Sequence, residues 1–104
     1  MEIKSKKVGG VLTAYLLGEI DHHNAKQARH TLDLMIEREK PARFLLDLSG
    51  VGFCDSSGLG LVMGRMKKCS QTGSSMSVIN PSSAAEKMLE IAGMDKILRI
   101  ERGQ

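Results

Sequence analysis

Tryptophan is absent, and Tyr15, Phe44 and Phe53 are the only aromatic residues among 104. Stacking on exposed nucleic-acid bases, which relies on such side chains, has little to draw on here. Charge is not concentrated either. Fifteen Lys and Arg stand against twelve Asp and Glu, and no basic run exceeds two residues. Nucleic-acid binders gather their positive charge on one face or stripe, so no direct nucleic-acid partner is expected. Apolar runs fall short of the roughly 18 residues that span a bilayer. The opening MEIKSKKVGG lacks the apolar stretch of a signal peptide, and a cytoplasmic protein with no membrane partner is expected. Cysteine is scarce: Cys54 and Cys69 form no CxxC pair and leave no set for zinc, so two reduced thiols are expected. With 41% apolar and 26% charged residues, the composition is that of a folded domain. One domain over residues 1–104 is expected, with seven methionines as flexible filler for its core.

Two apolar stretches, Ile3–Val8 and Val11–Leu17, flank Gly9-Gly10, a hairpin signal. Asn24 with Gln27 reads as a capping box, and Ala25, Ala28, Leu32, Met35 and Ile36 recur at helical spacing to about Arg38, before Pro41. Phe44–Leu48 is a strand-length run without alternation, as suits burial on both faces. Asp55 opens a second helix running to about Ser70, with Gly73 as its stop. Met76–Ile79 makes a further strand. Pro81 suits a first helical position, and Ser83 with Glu86 makes a capping box, for a third helix that carries Ala85, Met88, Leu89 and Ala92 to a stop at Gly93. Ile97–Ile100 gives a last strand. The order β-β-α-β-α-β-α-β predicts an α/β fold, a mixed and mostly parallel sheet with helices packed against it.

Chemistry gathers where the third strand meets the second helix, since ligands and partners of open α/β sheets collect at the carboxyl ends of strands. Asp55-Ser56-Ser57-Gly58 stands there. Capping of the orphan amides accounts for these side chains on its own, although two hydroxyls and a carboxylate exceed what one cap needs. On a helical wheel, Leu59, Val62, Met63, Met66 and Ser70 share the face assigned to the core. Leu61 then points outward beside Gly60 and Gly64, a low-relief surface on which a partner protein could sit closely. A phosphate on either serine would add roughly −1.5 to −2 charges at a helix start that favours anions, opposed by Asp55. Such a modification is expected to leave the fold intact and to change the surface a partner meets.

Enzymatic and cofactor readings are weaker. Gly58, Gly60 and Gly64 follow a strand as in a dinucleotide fingerprint, but the spacing is GxGxxxG, and Asn80 stands where an acid would hold the ribose. A small nucleotide-binding α/β module remains the alternative function. No GxSxG elbow surrounds the serines and no general base is identifiable, so no catalytic residue is assigned. Asp21-His22-His23 and His30 are spaced poorly for a metal, and neither metal nor cofactor is expected.

The stretch FCDSSGLGLVMGRMKK, with GEIDHHNA upstream, resembles the anti-anti-sigma factors of the STAS domain family, closest to the sporulation type that antagonises anti-sigma-F factors. The resemblance covers nearly the whole chain and implies the STAS fold. It implies partner switching without catalysis. The unphosphorylated protein binds an anti-sigma factor that is also a serine kinase and frees the sigma factor. Phosphorylation by that kinase ends the binding, and a serine phosphatase restores it, making the antagonist a positive regulator of sporulation transcription. By position in the motif, Ser57 matches the phosphorylated residue, with Asp55 and Ser56 in the kinase contact and Asp21 tied to partner recognition. Gly58, Gly60, Leu61 and Gly64 complete the expected partner surface of a protein that is monomeric when free.

Overall fold

In a computed structural model that describes residues 1–103, β1 (Glu2–Val8) turns through Gly9-Gly10 into β2 (Val11–Ile20), with Val8 paired to Val11. Gly9 has a φ of 61°, which a side chain would resist, and this conformation closes the two-residue loop. Helix α1 (Ala25–Glu39) follows, then β3 (Arg43–Cys54), α2 (Ser56–Thr72), β4 (Ser75–Ile79), α3 (Ser83–Ile91), a short 3-10 turn (Met94–Lys96) and β5 (Arg99–Glu101). The five strands lie side by side in sequence order. β1 and β2 are antiparallel, and every later pairing is parallel because a helix returns the chain to the starting edge. The predicted α/β fold with a mixed, mostly parallel sheet is the fold observed.

Strand side chains alternate between faces, and this alternation places the core. Leu12, Ala14 and Leu16 of β2 stand beside Phe44 and Leu46 of β3 and Val78 of β4, all fully or nearly fully buried. They form one cluster with Ala28, Leu32 and Ile36 of α1, Leu61, Val62 and Cys69 of α2, and Ala85 and Leu89 of α3. The helices therefore cover one face of the sheet. Burying each large aliphatic side chain contributes about 1.5–3 kcal/mol, far more than a cap or a surface pair, so this cluster sets how the helices lie. On the other face Thr13, Tyr15 and Leu45 are half-buried, so the burial of β3 on both faces holds only in part.

Several local expectations need correction. Asn24 does not cap α1 through its side chain. Its Oδ1 accepts from the Asp21 amide at 3.1 Å and its Nδ2 donates to the Glu19 carbonyl at 2.7 Å, so the loop before the helix takes both of its polar groups. The third helix starts one residue earlier than the Ser83–Glu86 box requires: Ser82 is the cap and accepts from the Ala85 amide at 3.2 Å, so Pro81 precedes the cap and does not take the first helical position. Glu86 pairs with Arg102 instead. Ala92, expected on the core face, is exposed at the end of that helix. Ile97 is 65% exposed and follows the 3-10 turn, which shortens the last strand to Arg99–Glu101.

The largest correction concerns α2. Its buried residues are Gly58, Leu61, Val62, Arg65 and Cys69, whereas Met63 is 49% exposed and Ser70 is exposed. The core face is thus turned by about 100°, one residue's rotation, from the face the apolar residues suggested. Leu61, expected to point outward, is 4% exposed and belongs to the core. Arg65 explains the difference. It is 3% exposed, with its Nε 2.9 Å from Asp33 Oδ1 of α1. That counter-charge lets α2 turn a cation inward, against α1, and a hydropathy pattern cannot register such a pair.

Candidate functional site

β2 and β3 end side by side, Ile20 paired with Cys54, and the Asp55 amide donates to the Ile20 carbonyl at 3.1 Å. The loops after the two strands are therefore locked together, which brings the GEIDHHNA and CDSSG segments to one end of the sheet. Asp55 adopts an extended conformation as the N-cap of α2, and its Oδ1 accepts from the Ser57 amide at 2.7 Å. A side-chain cap of this kind stabilises a helix by about 1 kcal/mol. Capping is thus real, but it uses Asp55 alone and leaves both serine hydroxyls for other contacts. In the facing loop, Asp21 Oδ1 accepts from the His23 and Asn24 amides at 2.9 and 3.1 Å. With Asn24 returning a bond to the Asp21 amide, the turn is closed at both ends.

Ser56 and Ser57 border different surfaces. Ser56 is exposed and edges an apolar groove of 570 Å³ between α2 and α3, with Phe53, Leu59, Met88 and Ile91 on its walls and Lys87 at its margin. Phe53 is 50% and Ile91 77% exposed, so the groove is a partly uncovered apolar surface. Ser57 is half-buried and edges a smaller cleft of 360 Å³, bounded by Gly60 and Leu61 of α2 and by His22, Lys26 and Arg29 across from them. Gly60 is exposed and Gly64 half-buried, and a Cβ added at either would meet nothing within 4 Å. The low relief expected of this helix side is present, while Leu61 contributes only the floor of the cleft.

Gly58 is buried and closely fitted. A Cβ there would lie 2.2 Å from Cys54 Sγ, so the first turn of α2 rests directly on the end of β3. Burial, with a smaller contribution from the Asp55 charge, pushes the Cys54 thiol up to about 11. It is a packing group and a poor nucleophile at neutral pH. Burial raises Cys69 to about 11 as well, against an opposing effect of Arg65, and both thiols are free. The rings of His22 and His23 meet edge to face with centroids 6.0 Å apart, because the turn before α1 does not separate neighbouring side chains as a strand would. Among the described residues no group of three or more His, Cys, Asp or Glu side chains could hold a metal ion, and no helix is long and apolar enough to cross a membrane.

The end of the sheet thus unites Asp21, Asp55, Ser56, Ser57, Gly58 and Gly60, with Gly64 one turn further along, and it removes Gly58 and Leu61 from the exposed set. Residue spacing missed Phe53 and Ile91, the walls of the groove, and Lys26 and Arg29, the far wall of the cleft. Phe53 had a signal, being one of three aromatics and next to the motif. Lys26 and Arg29 had a weaker one, lying three apart on a helix and hence on one face.

The STAS domain profile matches residues 2–103. An anti-sigma F factor antagonist of Paenibacillus polymyxa is 35% identical over 100 residues, covering 96% of this chain and 86% of the relative. The anti-sigma factor antagonist SpoIIAA in its unphosphorylated form superposes with a TM-score of 0.83 at 25% identity, over 99% of this chain and 89% of that one. The Bacillus cell fate determinant SpoIIAA in the phosphorylated form gives a TM-score of 0.76 at 25% identity, over 99% and 92%. With its sequence matched almost end to end and its sheet and helices in the same arrangement, the chain belongs to the STAS domain family.

Proposed function

We propose that the protein is an anti-sigma factor antagonist whose binding is switched by phosphorylation of Ser57. In the unphosphorylated state it binds an anti-sigma factor that is also a serine kinase, and so releases the sigma factor. The kinase transfers the γ-phosphoryl group of ATP to the Ser57 hydroxyl. The Oγ–P bond forms, the phosphoanhydride bond breaks, ADP leaves and the hydroxyl proton is lost. A serine phosphatase hydrolyses the ester and restores binding. The protein acts in the cytoplasm as substrate and ligand rather than catalyst, with residues 1–104 as one domain, monomeric when free, and the transcription it promotes is that of sporulation.

The observation that carries this proposal is the setting of the two serines. Both stand at the start of α2, at the carboxyl end of the sheet, beside uncovered surface on either side. The likeness to a SpoIIAA known in phosphorylated and unphosphorylated forms supports a phosphorylation switch. The contact surface is proposed to include Asp21, Asp55, Ser56, Ser57, Gly60 and Gly64, with the buried Gly58 seating the helix start beneath them. Because Asp55 already caps the helix, the Ser57 hydroxyl can be esterified without loss of the cap.

Incubation with the cognate anti-sigma kinase and ATP, followed by mass spectrometric mapping, should place one phosphate on Ser57. The modified protein should no longer co-purify with the kinase. Equal phosphorylation of the Ser57→Ala variant, or unchanged binding after phosphorylation, would remove the basis of the proposal.

A further inference from the structure

Among the described residues, the cleft beside Ser57 is walled by basic side chains that no ion pair employs. His22, Lys26 and Arg29 line it and all three are exposed. Among the described residues Lys26 and Arg29 form no ion pair, although α1 carries three acids: Asp33 is taken by Arg65, Glu37 by Lys68 and Glu39 by Lys7. The acids of α1 are thus committed elsewhere, and the two free cations stand together at its N-terminal end. A helix start disfavours positive charge, so Lys26, in the first turn of α1, is placed against the local dipole, with Arg29 one turn further on. Their position makes electrostatic sense if an anion shares the cleft.

We propose that Lys26 and Arg29, with His22 at the edge of the cleft, form an intramolecular cradle for the phosphate on Ser57. This rests on the proposal that Ser57 is the modified residue. A phosphoserine carries about −1.5 to −2 charges and three acceptor oxygens. Arginine meets such a group with a planar fork and lysine with a point charge. Lys26 and Arg29 line the cleft while no carboxylate does, and the two carboxylates on the loops beside it, Asp21 and Asp55, each have Oδ1 engaged by backbone amides. Held this way, the phosphate lies against α1 instead of projecting from α2. Phosphorylation then changes two surfaces at once: it fills the cleft beside Gly60, and it neutralises the basic patch on α1. Ser56 has no such partners, since the groove it borders is apolar with Lys87 as its one cation.

The test installs phosphoserine at position 57 during translation, so that no kinase is needed, and follows the second phosphate ionisation by 31P NMR. His22→Gln in every sample removes the one imidazole lining the cleft. Lys26 and Arg29 then remain as the charged groups lining the cleft, with the carboxylates of Asp21 and Asp55 on the loops beside it in every sample. The midpoint in the parent should lie below the ordinary value of about 6, and Lys26→Gln with Arg29→Gln should raise it by about half a unit or more, as expected for exposed charges within a few ångströms. Both replaced residues are exposed, so the fold should persist, as checked by amide spectra. With phosphoserine at position 56 the same double substitution should leave the midpoint unchanged. An unmoved midpoint at position 57, or an equal shift at position 56, would overturn the cradle. A kinase that fails to modify Ser57 would instead overturn the proposed function and leave this measurement as it stands.

Discussion

Substituting alanine for Gly58 probes the tightest contact at the site, where the first turn of α2 rests on the end of β3. The added Cβ would lie 2.2 Å from Cys54 Sγ, with Ile20 Cγ2 at 3.5 Å and Met88 Cε at 3.6 Å. The last two are ordinary contacts, whereas the first is more than an ångström inside the ~3.5–4.0 Å at which carbon-sized atoms attract. Cys54 has one side-chain torsion with which to withdraw, and its Sγ lies 3.6 Å from the Asp55 carbonyl, within reach of a weak hydrogen bond. Overpacking of this kind costs about 1–3 kcal/mol. Alanine is favoured over glycine inside a helix by roughly 0.5–1 kcal/mol, which offsets part of the cost. A net loss of about 1 kcal/mol is expected, seen as a lower urea midpoint and a Tm lower by about 4–8 °C. Cys54→Ala removes the opposing sulfur, so the double variant should recover about 1 kcal/mol relative to the sum of the single changes. A Gly58→Ala protein as stable as the parent, or strict additivity in the double variant, would refute the contact as the reason for glycine here.

Ser57→Ala should remain bound to the anti-sigma kinase in the presence of ATP, whereas Ser57→Asp should bind more weakly; co-purification from a mixed lysate reads both, and a parent that also stays bound with ATP contradicts the switch. Leu61→Ala should lose about 2–5 kcal/mol in urea unfolding, as a core truncation does, and a loss below 1 kcal/mol would contradict its burial. Burial holds both thiols near 11, above an ordinary 9.0, so alkylation by iodoacetamide at pH 8 should run about a hundredfold slower in the folded than in the unfolded chain. Because the folded thiols keep protons that the unfolded ones release, their contribution to stability is whole below pH 9 and is lost as pH rises toward 11. Urea midpoints of the parent should therefore fall over that interval more steeply than those of a Cys54→Ala, Cys69→Ala protein, and parallel curves would contradict the assignment.

The order of elements was legible because each begins and ends on a local signal. Gly9, Pro41 and Gly73 mark turns whose backbone a side chain or an amide would oppose, and those marks hold whatever packs around them. The site was legible to the same degree: the residues after β3 lie at the end of a parallel sheet, where the carboxyl ends of strands converge. What failed was the choice of the inward face of α2. Leu59, Met63 and Met66 are more apolar than Gly58, Arg65 and Cys69, and a wheel weighs residues by hydropathy alone. The inward face is fixed by two contacts that a wheel does not weigh, the distant Asp33 carboxylate that accompanies Arg65 and the local fit of Gly58 against Cys54. Asn24 failed for a similar reason. Its amide serves Glu19 and Asp21, residues on the preceding strand and loop that compete with the helix for the same groups.

Turning Leu61 inward also changes what the serines can do. Were Leu61 exposed, Ser57 and Gly60 would share their side of α2 with an apolar contact, and a partner could be held there without regard to charge. With Leu61 as the floor of the cleft, the groups left at its rim are a hydroxyl, a glycine backbone and three basic side chains. Apolar attraction is displaced to the other side of the helix, to Phe53, Leu59 and Ile91 beside Ser56. Under the proposed function, affinity from buried area and control by charge would fall on opposite flanks of one helix turn. A phosphate on Ser57 would act on the charged flank and leave the apolar one chemically unaltered. Binding could then be weakened by electrostatics and bulk while the groove, the cap and the core remain as they are. A phosphate on Ser56 would lack that separation, since it would stand in the apolar groove itself with a single lysine for compensation.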